Sequence, residues 1–273
     1  MTEAERRHYY WFLLAACVAA CVLRWRAVLV GLMSDDFMQQ AMIDGIYPGG
    51  DTYVPFDLYA FLRHDVMVAH VEQGTAPWWS VPELHGTVLR PLASLLLWLD
   101  RVLLPGQVEL WHAHSMLWFA AAIAALGLAV GRLLPRSFAI LAVIFFVCEA
   151  SVISPLTWLA NRCVLLCATF GFLAIWAHLE WRTPEPSTPQ WRRRHGGVLV
   201  GVLMTLCIAS GEYGLAVLAY LGVWEWLLGP GTARERARAL LPSLIPILIY
   251  LVIHKLRGYG TSGAEVYADP FHT

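Results

Sequence analysis

Two adjacent aspartates, Asp35 and Asp36, follow directly on a long apolar segment in the stretch GLMSDDFMQQAMIDG. Neighbouring carboxylates oppose each other's ionisation, so a site that desolvates the pair raises a pKa and prepares a general base. The run Ser34-Asp35-Asp36 before an apolar-periodic segment is also an ordinary helix start, with a carboxylate capping free N–H groups. Residue type alone leaves both roles open. Arginine, whose planar fork grips phosphate in two places, stands at Arg90, at the head of RPLASLLLWLDRVLL, and at Arg162, at the head of an apolar run. A charged side chain deep in hydrocarbon costs roughly 2.5–3.5 kcal/mol on insertion scales, so Arg162 requires a cavity or a partner, for which Glu149 is a candidate. Glu212 interrupts the apolar stretch IASGEYGLA, and Lys255 closes the last one. His112 and His114, spaced i,i+2 on a helix, point to nearly opposite sides and do not suggest a shared metal. The six cysteines all fall in apolar segments, two pairs at i,i+4, and read as small packing residues rather than a disulfide framework.

These residues must be held by a membrane scaffold. The chain is 58% hydrophobic and 14% charged, where a soluble domain carries about 25% charged residues. Its apolar runs approach the roughly 20 residues that cross a bilayer. The expected fold is all-α, a single polytopic bundle over 1–273 with about seven spans, at 9–33, 108–131, 137–154, 158–181, 197–210, 213–228 and 239–256. The N-terminal run reads as an uncleaved first span, since no small-x-small cleavage site follows its apolar core. With seven alternating segments, Arg6, Arg7, Arg132, Arg136, Arg182, Arg192–Arg194, Arg234, Arg236 and Arg238 share one side, which is then cytoplasmic, with the N-terminus. Residues 182–196 form a basic cytoplasmic linker. The opposite side receives a long first loop, 34–107, holding seven of the eight aspartates, with a short helix within 56–73 and an interfacial helix over 90–104. Gly127-x-x-x-Gly131 and Gly197-x-x-x-Gly201 permit close helix contact. A single lysine and a single asparagine beside many arginines and alanines suggest the codon usage of a G+C-rich bacterial genome, hence an inner-membrane protein. No basic patch with interleaved aromatics points to nucleic acid.

The order of motifs resembles the GT-C membrane glycosyltransferases, of the protein O-mannosyltransferase and aminoarabinose-transferase type. Asp35-Asp36 matches the acidic pair that opens the family's first outer loop, and Arg90-Pro91-Leu92 the segment before its interfacial helix. His112 is similar to a histidine near the start of the second span, Trp158-x-x-x-Arg162 to a tryptophan/arginine element, Ser210-Gly211-Glu212 to a Ser-Lys-Glu element, and Tyr267-Ala268-Asp269-Pro270 to a Tyr-x-Asp-Pro element. Two positions depart from the pattern: Gly211 replaces the lysine, and Ser115 replaces an asparagine after the histidine. The family's chains are longer, so this one is expected to be a truncated or minimal member. The resemblance implies transfer of a sugar from a polyprenyl-phosphate-linked donor to a hydroxyl of a protein, lipid or glycan acceptor on the extracytoplasmic face, with inversion. It implies Asp35 as base, Asp36 as second choice, and Arg90, Arg162, Glu212, Lys255 and His112 around the donor phosphate. Some relatives use a divalent cation, which Asp35 and Asp36 would hold here, and others use none. A transporter, a lipid-binding protein and a non-catalytic membrane module are the alternatives.

Overall fold

The computed structural model describes residues 3–50 and 53–263. Helix dominates it. In chain order come α1 (Glu3–Leu23), α2 (Asp35–Ile43), α3 (Met67–Glu72), α4 (Pro91–Leu103), α5 (Val108–Leu133), α6 (Arg136–Cys148), α7 (Ile153–Thr157), α8 (Cys163–Arg182), α9 (Gln190–Ser210), α10 (Gly214–Leu227) and α11 (Ala233–Leu256). A small antiparallel sheet joins β1 (Ala60–Leu62), β2 (His85–Thr87) and β3 (Gly260–Ser262) in that order.

Among the described residues, three helices are long and apolar enough to cross a membrane: α5, the stretch Leu159–Arg182 that contains α8, and α11. Arg136–Cys148 and Ala150–Thr157, bent by 50°, would make a fourth if they form one span. Each of the seven expected segments does contain a helix, but helix length and apolarity support three or four spans rather than seven. The reasons are local. The first helix stops at Leu23 rather than running to 33, and Trp25–Leu29 continue as a 3-10 turn. There Arg24 reaches over to donate to the carbonyls of Val147 and Glu149, at 3.1 and 3.0 Å. Helix α10 has 14 residues, about 21 Å at 1.5 Å per residue, short of a hydrocarbon core of about 30 Å. Helix α9 already begins at Gln190, so Arg192–Arg194 lie on its first turns and the linker is shorter than 182–196.

The stretch Leu159–Arg182 is the centre of the bundle, with 67% of its apolar window buried, whereas α11 has 22% and lies on the periphery. One apolar cluster joins α1, α5 and α6 around Leu13, Phe119 and Val143. Another joins α8, α9 and α11 around Ala174, Met204 and Ile247. The glycine pairs do seat neighbours closely. A Cβ on Gly127 would fall 2.3 Å from Leu13 Cδ2, and one on Gly131 would fall 2.9 Å from the Tyr9 ring. Tyr9 donates to the Gly127 carbonyl at 2.8 Å, so α1 locks onto α5 through a backbone that only glycine leaves bare. Gly197 and Gly201 likewise lie against Trp181 and Pro242.

The first loop packs down as a layer at one end of the bundle. Helix α4 forms within the expected interfacial segment, with Pro91 in its first turn. Residues 56–73 differ from the expected helix: they contain β1, a 3-10 turn at His64–Val66 and only the six-residue α3. The β1 edge is needed by β2, which pairs in turn with β3 beyond α11, so the sheet ties loop to tail. Buried polar side chains fix this layer. Gln39 donates to the Leu58 carbonyl, Ser94 accepts from Leu58 N–H, and Tyr59 donates to the Ala160 carbonyl, at 3.1, 3.1 and 2.5 Å.

The charges separate along the helices as expected. Helix α5 carries His112 near its start and Arg132 in its last turn. Arg162 immediately precedes α8, and Arg182 ends it. Arg6, Arg132, Arg182 and Arg192 pair with Glu180, Glu185 and Glu225 at one end. Arg90 and Glu212 meet at the other.

A candidate site between the first loop and the bundle

A cavity of about 610 Å³ opens at the loop-bearing end of the bundle. Its walls come from six regions distant in sequence. Asp35 enters from the start of α2 and Arg90 from the residue before α4. Trp158, Ala160 and Asn161 enter from the turn before α8, Glu212 and Tyr213 from the α9–α10 turn, and Tyr250 and His254 from the end of α11. The sheet, through Phe61, Thr87 and Thr261, covers one side.

The structure separates the two aspartates. Asp36 is 5% exposed, and its carboxylate accepts the backbone N–H groups of Met33, Leu159 and Ala160 at 3.0, 3.3 and 2.7 Å. Burial pushes its pKa up while those N–H bonds pull it back. Asp36 is therefore a clasp between α2 and the turn leading into α8. Asp35 is half-buried and lines the cavity. Burial raises its pKa above the ordinary carboxylate range, opposed by a hydrogen bond from Ser34 and by the charge of Arg90. Ser34 is the sole described non-glycine residue with positive φ, at 44°, a conformation that costs of order 1–3 kcal/mol and is common where a backbone is held to aim a neighbour. Its hydroxyl does not cap the helix, donating instead to the Asp35 carboxylate at 3.3 Å.

Across the cavity Arg90 grips Glu212 in two places, Nε to Oε2 at 3.1 Å and Nη2 to Oε1 at 2.5 Å. Its guanidinium also lies over the rings of Tyr59 and Tyr213, at 5.1 and 5.8 Å. Burial alone would raise the Glu212 pKa; the Arg90 hydrogen bonds and charge outweigh it and hold the carboxyl below its ordinary range. Gly211 does not supply the lysine of the Ser-Lys-Glu pattern, and the cation beside Glu212 here is Arg90. Trp158 Nε1 is buried without a hydrogen-bond partner, a free donor in a residue that lines the cavity.

Besides Asp36, three expected site residues fall outside this cavity. Arg162 is 1% exposed and entirely committed to protein. It pairs with Asp100 rather than Glu149, and donates to Ser115 Oγ at 2.8 Å and the Trp111 carbonyl at 2.6 Å. Ser115, the position that departs from the family's asparagine, thus belongs to this buried network. Trp158 and Arg162 part company because Leu159–Arg162 is a 3-10 turn: the tryptophan lines the cavity while the arginine turns inward. His112 is 1% exposed, its ring nitrogens lying 3.1 Å from the Leu156 carbonyl and 2.8 Å from that of Gly31. It pins the chain entering the first loop. Lys255 is exposed and does not line the cavity, whereas its neighbour His254 does. Tyr267-Ala268-Asp269-Pro270 lies outside the described residues.

Among the described residues no cluster of three His, Cys, Asp or Glu side chains could hold a metal ion, and Asp36 is already engaged by three N–H groups. Sequence reasoning missed Tyr59, Asn161, Tyr250 and His254. The available signal was weak: Asn161 is the one asparagine of the chain, and His254 sits one residue from the lysine that was singled out.

A second cavity of about 360 Å³ adjoins the first and shares Tyr250 as a wall. It is mainly apolar, lined by Val54, Phe56, Leu89, Ile208, Ile249 and Ile253, with Asp57 and Arg257 at its polar edge. A chamber that carries Asp35, Arg90 and Glu212, beside an apolar groove, suits an amphipathic ligand. Comparison with protein-family models, with curated proteins and with solved structures finds no match to this chain.

Proposed function

We propose that this chain is a membrane glycosyltransferase that moves a sugar from a polyprenyl-phosphate-linked donor to an acceptor hydroxyl on the extracytoplasmic face. The observation that carries this reading is Asp35, a half-buried carboxylate facing the same chamber as Arg90, beside an apolar groove that suits a lipid chain. In this scheme Asp35 takes the proton of the acceptor hydroxyl as its oxygen bonds to the anomeric carbon. The bond from that carbon to the phosphate oxygen breaks, with inversion, and polyprenyl phosphate leaves carrying the negative charge. Arg90, aligned by Glu212, stabilises that charge, and His254 lines the same chamber. The arginine-rich end then faces the cytoplasm of a bacterial inner membrane, with α1, α9, α10 and the bent pair completing seven crossings.

The direct test is the full chain in liposomes with donors radiolabelled in the sugar. Label should leave the lipid fraction and appear on a hydroxyl-bearing acceptor. A panel of such donors that binds but keeps its label would exclude transfer. That result would favour a lipid-phosphate binder or carrier.

A pH profile gives a second check. A base must be ionised to act, so a raised Asp35 pKa moves the acidic limb of kcat/KM above the ordinary carboxylate range. The lowered Glu212 pKa keeps the Arg90 pair intact throughout that limb; the stability that pair contributes is lost only when pH falls through the folded Glu212 value. An acidic limb at or below the ordinary carboxylate value would remove Asp35 as the base.

A further inference from the structure

A second polar cavity, of about 420 Å³, lies at the arginine-rich end of the bundle, away from the chamber holding Asp35. Four guanidinium groups line it, from Arg6, Arg132, Arg136 and Arg192, against the carboxylates of Glu180 and Glu185. Each glutamate is shared by two arginines. Glu185 takes Arg6 at 3.3 Å and the Nη1 of Arg132. Glu180 takes Arg132 Nε at 3.3 Å and Arg192 at 3.4 Å. Arg136 makes no ion pair among the described residues. Two positive charges are therefore left over.

The hydrogen-bond count points the same way. The Nε groups of Arg132, Arg136 and Arg192 are buried without an acceptor; the Arg132 contact with Glu180 is close but not aligned for a bond. Buried charged donors without acceptors are costly, and all three belong to residues that line this one cavity. Helices α6 and α9 also start at this cavity, after Pro135 and Pro189, and neither start has a side-chain cap. Uncapped N–H groups and the positive ends of two helix dipoles add to the field. Tyr10 and Leu134, both exposed, give the cavity an apolar edge.

We infer that this cavity is a binding site for a phosphate-bearing anion, seated between Arg136 and the paired arginines. Phosphate supplies several acceptor oxygens on one centre and takes guanidinium in a fork geometry. A membrane phospholipid headgroup and a water-soluble phosphate ester both present that chemistry. The site is independent of the chamber around Asp35 and does not depend on how that chamber acts.

The test uses the full chain, purified in neutral detergent and stripped of lipid. Native mass spectrometry is run with phosphatidylglycerol and with phosphatidylcholine, and thermal melting is followed with inorganic phosphate. Retention of phosphatidylglycerol over phosphatidylcholine, weakened about tenfold in Arg136→Gln and restored in Arg136→Lys, supports the site with a lipid headgroup as its source. A rise in melting temperature with inorganic phosphate that is lost in Arg136→Gln supports the same site with a soluble source. Equal binding of both lipids together with no phosphate-induced rise in melting temperature, or binding and melting shifts unchanged in an Arg136→Gln protein that melts normally without ligand, overturns the proposal.

Discussion

Asp35→Asn should lower sugar transfer by roughly 10²–10⁴-fold, the range that a positioned general base contributes, while the protein inserts normally and melts at or slightly above the temperature of the unsubstituted chain. The stability half of this expectation follows from the sign of the pKa shift. Asp35 has a folded pKa above its unfolded value, so whatever stability it contributes is present at low pH and is lost as pH rises through the folded value. At neutral pH the ionised carboxylate opposes folding, and an isosteric amide removes that opposition. Asp36→Asn should behave in the opposite way. Its carboxylate holds three backbone N–H donors, and the amide turns an NH2 toward donors that need an acceptor. Melting temperature should fall, and activity should fall only in step with the loss of folded protein. Transfer assays on both variants, normalised to folded material by size-exclusion chromatography, separate the two aspartates. Full activity in folded Asp35→Asn would remove it from the chemistry.

The sequence made the pair visible but could not say which member faces the chamber. Adjacent residues on a helix are turned by about 100°, so the two carboxylates present different faces. The deciding contact is the Leu159–Ala160 backbone, more than a hundred residues downstream, and no spacing within SDDF reports on it. Arg90 and Glu212 were legible as outer-end charges, and their pairing follows from sidedness once the loop packs down. His254 and Tyr250 were not, because an apolar helix with one histidine near its end has no periodicity that marks a wall. The helices themselves were well marked by apolar run length and arginine placement. The sheet was not: three strands of three residues, drawn from both sides of the bundle's sequence, are too short for alternation to show. Apolar run length marks seven segments but not the breaks within them, such as the end of the first helix before Arg24 and the 50° bend after Cys148.

Arg162 gives the sharpest separation between a residue that resembles a phosphate ligand and one that builds the scaffold. Its guanidinium joins Asp100 of α4 to Ser115 and the Trp111 carbonyl of α5, just ahead of α8. Asp100 also holds His114 Nδ1 at 2.7 Å, so a single carboxylate and a single guanidinium fasten three helices beneath the chamber. Removing one member of a buried pair leaves the other as an uncompensated charge, at a cost of about 3–5 kcal/mol. Arg162→Leu should therefore lower stability severely, with loss of monodisperse protein in detergent. Replacing both partners is a different perturbation, because it removes the desolvated charges together. Arg162→Leu combined with Asp100→Leu should recover most of the melting temperature. If Arg162 is scaffold, the recovered double variant transfers sugar, with KM for the lipid donor near that of the unsubstituted chain. A double variant that melts normally but has lost donor binding would place Arg162 at the phosphate after all. The structure favours the first outcome because every guanidinium nitrogen already has a protein acceptor and the side chain is buried away from the chamber.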